Sequence, residues 1–120
     1  MKTLTKAEEQ LMQVLWSLHK AFLRDLVDAM PQPKPHQNTV ATILKILAEK
    51  GFVNVTVMGR QHQYSAAISK EAYSKSTFKN LVKSYFDGSV MSALSFMVKE
   101  NNVSLNDLEA LMQQIKKDKK

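Results

Sequence analysis

The amino-acid sequence predicts a mainly α chain with a small β-hairpin wing: an N-terminal winged helix over residues 1–68, then a C-terminal three-helix dimerisation region over 69–120. Three features carry that expectation. Apolar residues recur at helical spacing in successive segments along the chain. Between Val53 and Ser65 the period changes to two around a Gly59-Arg60 turn, as in a hairpin. The stretch Asn38 to Gly51 sets a polar face against an apolar one, as a surface-presenting helix does.

Composition limits what such a chain can be. With 120 residues and 44% hydrophobic content it suits one compact domain with an appendage, and it is too apolar for wholesale disorder. No apolar run approaches membrane-spanning length, and Met1-Lys2-Thr3-Leu4-Thr5 is too polar for a secretion signal. A cytoplasmic protein without membrane insertion is therefore expected. The absence of cysteine excludes disulfides, thiolate metal sites and a cysteine nucleophile. A formal charge of +6 and a pI near 9.6 favour a polyanionic partner, although Lys116, Lys117, Lys119 and Lys120 at the C-terminus supply much of that charge.

The first helix opens on a capping box, Thr5-Lys6-Ala7-Glu8, and continues with an apolar stripe of Leu11, Val14, Leu15 and Leu18. Trp16 leans over the edge of that stripe, and packing is expected of it rather than base stacking. Ala21-Phe22 forms a short bridging strand before a second helix from about Leu23 to Met30, with Leu23, Leu26, Val27 and Met30 inward. Pro31, Pro33 and Pro35 then exclude helix, because each lacks an amide donor and extends its predecessor. That proline run also has PxxP character, but linkage between two helices is the simpler role.

In the third helix Asn38 is the expected N-cap and Gly51 the C′ residue. Val40, Ile43, Leu44 and Leu47 share the anchoring face. Asn38, Ala41, Thr42, Lys45 and Glu49 lie opposite, with Thr39 and Ile46 on a flank. Helix, turn and outward second helix is the arrangement that puts a recognition helix in the major groove of double-stranded DNA. The candidate DNA-binding residues are Asn38, Thr39, Ala41, Thr42 and Lys45, joined by Arg60 at the hairpin tip, where a guanidinium is free to reach a phosphate.

Residues 69 to 117 read as three amphipathic helices too short to be stable alone. Phe78, Leu81, Tyr85 and Phe86 stripe the fourth helix together with Tyr73 and Val82. Met91, Leu94, Met97 and Val98 stripe the fifth with Val90. Leu105, Leu108, Leu111, Met112 and Ile115 stripe the sixth, which Ser104 caps. Asp87-Gly88 and Asn101-Asn102 are the breaks between them. Some fifty residues make a marginal core, so pairing with a second copy is the economical solution, and it would supply two recognition helices.

The pattern Thr39, Val40, Thr42, Leu44, Leu47, Lys50, Gly51, followed by Gly59, Arg60 and Tyr64, resembles the BlaI/MecI penicillinase-repressor family. Ser69-Lys70-Glu71-Ala72-Tyr73 and Phe86-Asp87-Gly88-Ser89 extend the similarity over essentially the whole chain. The resemblance implies a homodimeric repressor on operator DNA, released when a membrane-sensor-linked protease pathway triggers its proteolysis. In the family's penicillinase branch the cut falls at an asparagine-phenylalanine bond, which aligns here with Ser95-Phe96. The cysteine-rich metal site of the copper-responsive branch has no counterpart in this sequence.

Catalysis has little support. His19, His36 and His62 fall on a helix end, a loop and a strand without metal-ligand spacing, and there is neither a glycine-rich phosphate loop nor a nucleophile elbow. No enzyme activity, metal or cofactor is expected. Two alternatives stand beside the repressor: a winged helix serving as a protein-protein adaptor, and a ligand-responsive regulator with a pocket among its methionine-rich helices. An adaptor would expose apolar anchors on the outward face, where Ala41 and Ile46 are the expected exceptions to a polar surface.

Overall fold

The computed structural model describes residues 3–100 and 103–118. The first helix, α1 (Lys6–Leu18), starts on the predicted capping box: Glu8 donates its amide to the Thr5 hydroxyl at 3.2 Å, and the Thr5 amide donates to Glu8 Oε1 at 2.8 Å. His19 turns the chain at φ 70° into β1 (Lys20–Phe22), which leads directly to α2 (Leu23–Ala29). After the proline segment come α3 (Gln37–Glu49), β2 (Val53–Met58) and β3 (Gln61–Ala66).

The sheet is antiparallel in the order β1-β3-β2. Tyr64 sits at its centre, opposite Ala21 on one side and Val55 on the other. The bridging strand expected from Ala21-Phe22 is thus present, and it ties the hairpin to the start of α2. Among the described residues six helices with this small sheet make a mainly helical, winged-helix fold.

The core is assembled from one face of each helix. Leu11, Met12 and Leu15 of α1, Leu26 of α2, and Val40, Leu44 and Leu47 of α3 are fully buried with Phe52, which closes the end of α3. Each such side chain contributes roughly 1.5 to 3 kcal/mol by leaving water. The α1 stripe differs from the one expected: Met12 is fully buried while Leu18 is 39% exposed. Position 18 falls at the last turn, where the chain turns away toward β1. Trp16 packs as anticipated. Its indole N–H donates to the Ile68 carbonyl at 2.9 Å, and its ring lies 5.9 Å from that of Tyr73.

The hairpin departs more sharply from its sequence pattern. Val53 is buried, yet Val55 and Val57 are 43% and 68% exposed. Their alternation describes a strand but not a core face, because beyond Val53 the ribbon projects past the body that would cover it.

The chain divides into two compact units, residues 1–76 and 77–120. The division falls inside α4 (Lys70–Tyr85), whose first turns carry Tyr73 into the core described above; its hydroxyl donates to Glu9 Oε2 at 2.9 Å. In the second unit α4 ends where Phe86 and Gly88 both donate to the Val82 carbonyl. Asp87 (φ 51°) and Gly88 (φ 80°) make the break predicted there. Ser89 caps α5 (Val90–Lys99), and Ser104 caps α6 (Leu105–Asp118) by accepting the Asp107 amide at 3.0 Å. The turn read at Asn101-Asn102 lies outside the described residues.

Candidate nucleic-acid interface

The outward helix begins two residues earlier than its sequence suggests. Gln37 is the first helical residue and His36 the N-cap, its Nδ1 accepting the Asn38 amide at 3.1 Å. Asn38 was the expected cap because asparagine is a strong one, but the imidazole of His36 takes the orphan amide instead. Asn38 is thereby left in the first turn with its side chain exposed. Four and seven residues on, Thr42 and Lys45 are exposed on the same side, with Ala41 half-buried beside them.

Thr42 directs its hydroxyl proton to the Asn38 carbonyl at 3.0 Å. A hydroxyl offers one donor and two acceptor sites, so with its proton engaged the oxygen of this exposed residue keeps its acceptor capacity. Asn38, Thr42 and Lys45 together present an amide, an acceptor and a cation in one row. Thr39 stands apart from it. Although exposed, it lines a cleft of about 240 Å3 with Ile43, Met30 and the prolines at 31, 33 and 35.

The far end of α3 is fastened to α1. Lys50, its C-cap residue, donates to Glu8 Oε1 at 2.7 Å, and Gly51 follows with φ 85° in the predicted C′ position. The Glu8 side chain is 6% exposed and that of Lys50 23%. Burial pushes the Glu8 carboxyl up, but the hydrogen bond from Lys50, the Thr5 amide and the Lys50 charge outweigh it and hold the group below its usual 4.5. One carboxylate therefore closes the capping box of α1 and ties α1 to the end of the helix that carries Asn38, Thr42 and Lys45.

At the hairpin, Met58 pairs with Gln61, leaving Gly59-Arg60 as a two-residue turn. Gly59 has φ 64° and Arg60 is not among the residues with positive φ, the pattern of a type II′ turn with glycine first. Arg60 is exposed at the tip. A cleft of about 600 Å3 runs beside it, lined by Phe22, Leu23, Arg24, Gln37, Arg60, Gln61, His62 and Tyr64. Arg24 and Gln37 were not singled out from the sequence. The available signal was that Arg24 falls off the Leu23, Leu26, Val27 and Met30 stripe of its helix.

The candidate dimerisation residues are largely uncovered within one chain. Tyr85, Met91 and Leu105 are 77%, 75% and 71% exposed; Phe78, Leu81, Met97, Leu111, Met112 and Ile115 are also exposed, whereas Phe86, Leu94, Val98 and Leu108 are half-buried. Ser95 and Phe96 lie exposed in α5, with the Phe96 ring 5.7 Å from that of Phe86. Among the described residues no group of acids or histidines could hold a metal, and no helix is long and apolar enough to cross a membrane.

Comparison with known proteins gives consistent findings. The sequence profile of the penicillinase repressor family matches residues 4–117. The chain is 26% identical over 112 residues to the "uncharacterized 16.5 kDa protein in ptsI 3'region" of Latilactobacillus sakei, covering 92% of this chain and 76% of that one. It is 21% identical over 109 residues to the methicillin resistance regulatory protein MecI of Staphylococcus aureus, covering 90% and 89% respectively. Among solved structures, Bordetella bronchiseptica BpsR, described in work on regulation of its DNA binding by 6-hydroxynicotinic acid, superposes with a TM-score of 0.50. That alignment has 16% identity and covers 97% of this chain and 75% of that one. A CopR repressor structure aligns with a TM-score of 0.48 and 28% identity over 57% of this chain and all of that one.

Proposed function

The chain belongs to the penicillinase repressor (BlaI/MecI) family, whose members are transcriptional repressors rather than enzymes, and on that premise we propose that it is a homodimeric, sequence-specific DNA-binding repressor. In this reading α3 enters the major groove of operator DNA, with Asn38, Thr42 and Lys45 toward base edges, Ala41 beside them and Thr39 on the flank, while Arg60 meets phosphates. The observation that carries it is the exposed row of Asn38, Thr42 and Lys45 on a helix fixed at both ends, with a free-standing arginine on the adjacent wing. Residues 1–68 form the DNA-binding domain and 69–120 the dimerisation domain, whose uncovered stripes on α4, α5 and α6 face a second copy.

Release follows from cutting α5 at Ser95-Phe96 by a membrane-sensor-linked protease. That cut detaches Leu105, Leu108, Leu111, Met112 and Ile115 from the rest of the chain. At roughly 1.5 to 3 kcal/mol for each side chain fully buried in the dimer, their loss is enough to dissolve the pair.

Duplex binding by the full chain tests the first claim. Arg60→Ala should weaken operator and random duplex alike and lower the salt slope by about 1, whereas changes at Thr42 or Lys45 should chiefly erode preference among sequences. An unaltered slope for Arg60→Ala removes the wing contact. For release, an engineered protease site replacing Ser95-Phe96 in a variant shown to be dimeric before cutting should yield monomers and lose operator affinity once cut.

A protein-protein adaptor draws support from one observation: Val55, Val57 and Met58 of the wing add exposed apolar surface to that of Ile46 on α3. Salt separates the two readings, because binding driven by phosphates weakens steeply as salt rises and an apolar interface does not.

A further inference from the structure

We propose that Arg24 is a second DNA-backbone contact, acting with Arg60 so that one strand of phosphates is held between α2 and the wing; this deepens the DNA-binding reading above and rests on it. Arg24 projects from the start of α2 and Arg60 from the hairpin tip, and both line the same cleft of about 600 Å3. A single ordered water occupies ~30 Å3, so the space is of the scale of a sugar-phosphate segment and far exceeds that of a bridging solvent site.

The charge pattern is one-sided. Neither arginine forms a hydrogen bond or an ion pair among the described residues. Among the described residues no carboxylate lines the cleft; its other polar groups are Gln37, Gln61, His62 and Tyr64. The acid next in sequence, Asp25, is already engaged, since its Oδ2 accepts the Phe22 amide at 2.9 Å. Two guanidinium groups facing one hollow without a counter-charge repel each other until an anion enters, and the planar fork of arginine suits the paired oxygens of a phosphodiester.

The position of the cleft connects it to base reading. Gln37 lines it and is the residue immediately before Asn38, where the outward row begins. A strand seated between Arg24 and Arg60 would therefore set the depth and register at which Asn38, Thr42 and Lys45 meet the groove. Arg24 is on this account a positioning residue, carrying affinity but no sequence preference of its own.

The test uses the full-length protein and random-sequence duplex, with affinity followed over a salt series for the parent chain, Arg24→Ala, Arg24→Lys, Arg60→Ala and the double alanine variant. Both side chains are exposed, so melting temperatures should stay unchanged and report intact folding. Each alanine should lower the magnitude of the salt slope by about 1 and the double variant by about 2, with Arg24→Lys restoring most of the slope. Inorganic phosphate, compared with chloride at equal ionic strength, should not displace the duplex. A normal slope for Arg24→Ala beside a reduced one for Arg60→Ala overturns the proposal and leaves DNA binding standing. Displacement by inorganic phosphate overturns it in favour of a free-anion site. A parent chain whose duplex binding does not depend on salt overturns the underlying DNA reading.

Discussion

Residues 1–76 bury a continuous apolar cluster that runs from Leu4 to Tyr73, whereas among the described side chains of residues 77–120 only Val82 and Ala93 are buried and Tyr85, Met91 and Leu105 stand mostly in the open. Both regions have well-capped helices with clear stripes, so the contrast does not lie in local structure. It lies in closure. In the first unit the inward faces of α1, α2 and α3 meet one another, Phe52 and the base of the sheet, and only Leu18, Ile46 and the outer wing leave large apolar side chains uncovered among the described residues. In the second, three short helices leave most of their apolar side chains uncovered within one chain. Units built in this way should respond differently to the same kind of damage.

The largest effect should come from where the chain is cut. Truncation after residue 68 removes Tyr73, which is 8% exposed and packs 5.7 Å from Phe52 and 5.9 Å from Trp16. A fragment of residues 1–76 should exceed one of 1–68 in stability by about 3 to 5 kcal/mol, the usual cost of deleting a buried aromatic. Equal denaturant midpoints would show that the first unit closes without α4.

A matched pair of leucines sharpens the contrast. Leu44→Ala, in the closed core, should cost about 2 to 5 kcal/mol at any protein concentration. Leu105→Ala should cost a dilute single chain less than about 0.5 kcal/mol, yet lower the melting temperature of concentrated samples in which copies pair. If Leu105→Ala behaves alike at both concentrations, the exposed stripe on α6 is not an interface.

A smaller effect is expected at the Glu8-Lys50 pair. Glu8→Gln should destabilise the chain by about 1 to 3 kcal/mol by breaking a largely buried charged hydrogen bond and weakening the capping box. The carboxyl has a folded-state pKa below that of the unfolded chain, so its contribution is complete above the unfolded value and is lost as pH falls through the folded one, in the window below about 4.5. The parent should therefore lose stability there faster than Glu8→Gln, and parallel pH profiles would remove the pair from the account.

The smallest change belongs to the wing. Val57→Thr, at a side chain 68% exposed, should alter stability by no more than about 0.5 kcal/mol. A larger loss would mean that the hairpin is covered by something, as an adaptor surface would be.

Much of this architecture was readable in the residues themselves. The capping box at Thr5 to Glu8, the break at Asp87-Gly88, the Ser104 cap and the Gly59-Arg60 turn are local, because each depends on φ preferences and on donors within four residues of one another. The outward placement of Asn38, Thr42 and Lys45 followed from helical periodicity alone. The cap of α3 is less legible, because asparagine is the stronger cap by type while His36 takes the Asn38 amide at the true start.

What the tertiary structure decided is every pairing across distance. Glu8 and Lys50 lie forty-two positions apart, and nothing in either neighbourhood marks them as partners. Arg24 and Arg60 share a cleft only because Phe22 pairs with Gln63, bringing the start of α2 against the wing. Val55 and Val57 carry a strand's alternation, but whether a strand's face is covered depends on what lies above it, which the strand does not encode. Local conformation is set by a few neighbouring dihedrals and hydrogen bonds and can be read from short stretches. Burial, charge pairing and the meeting of two arginines depend on which surfaces the whole chain brings together, and those are known only once it has folded.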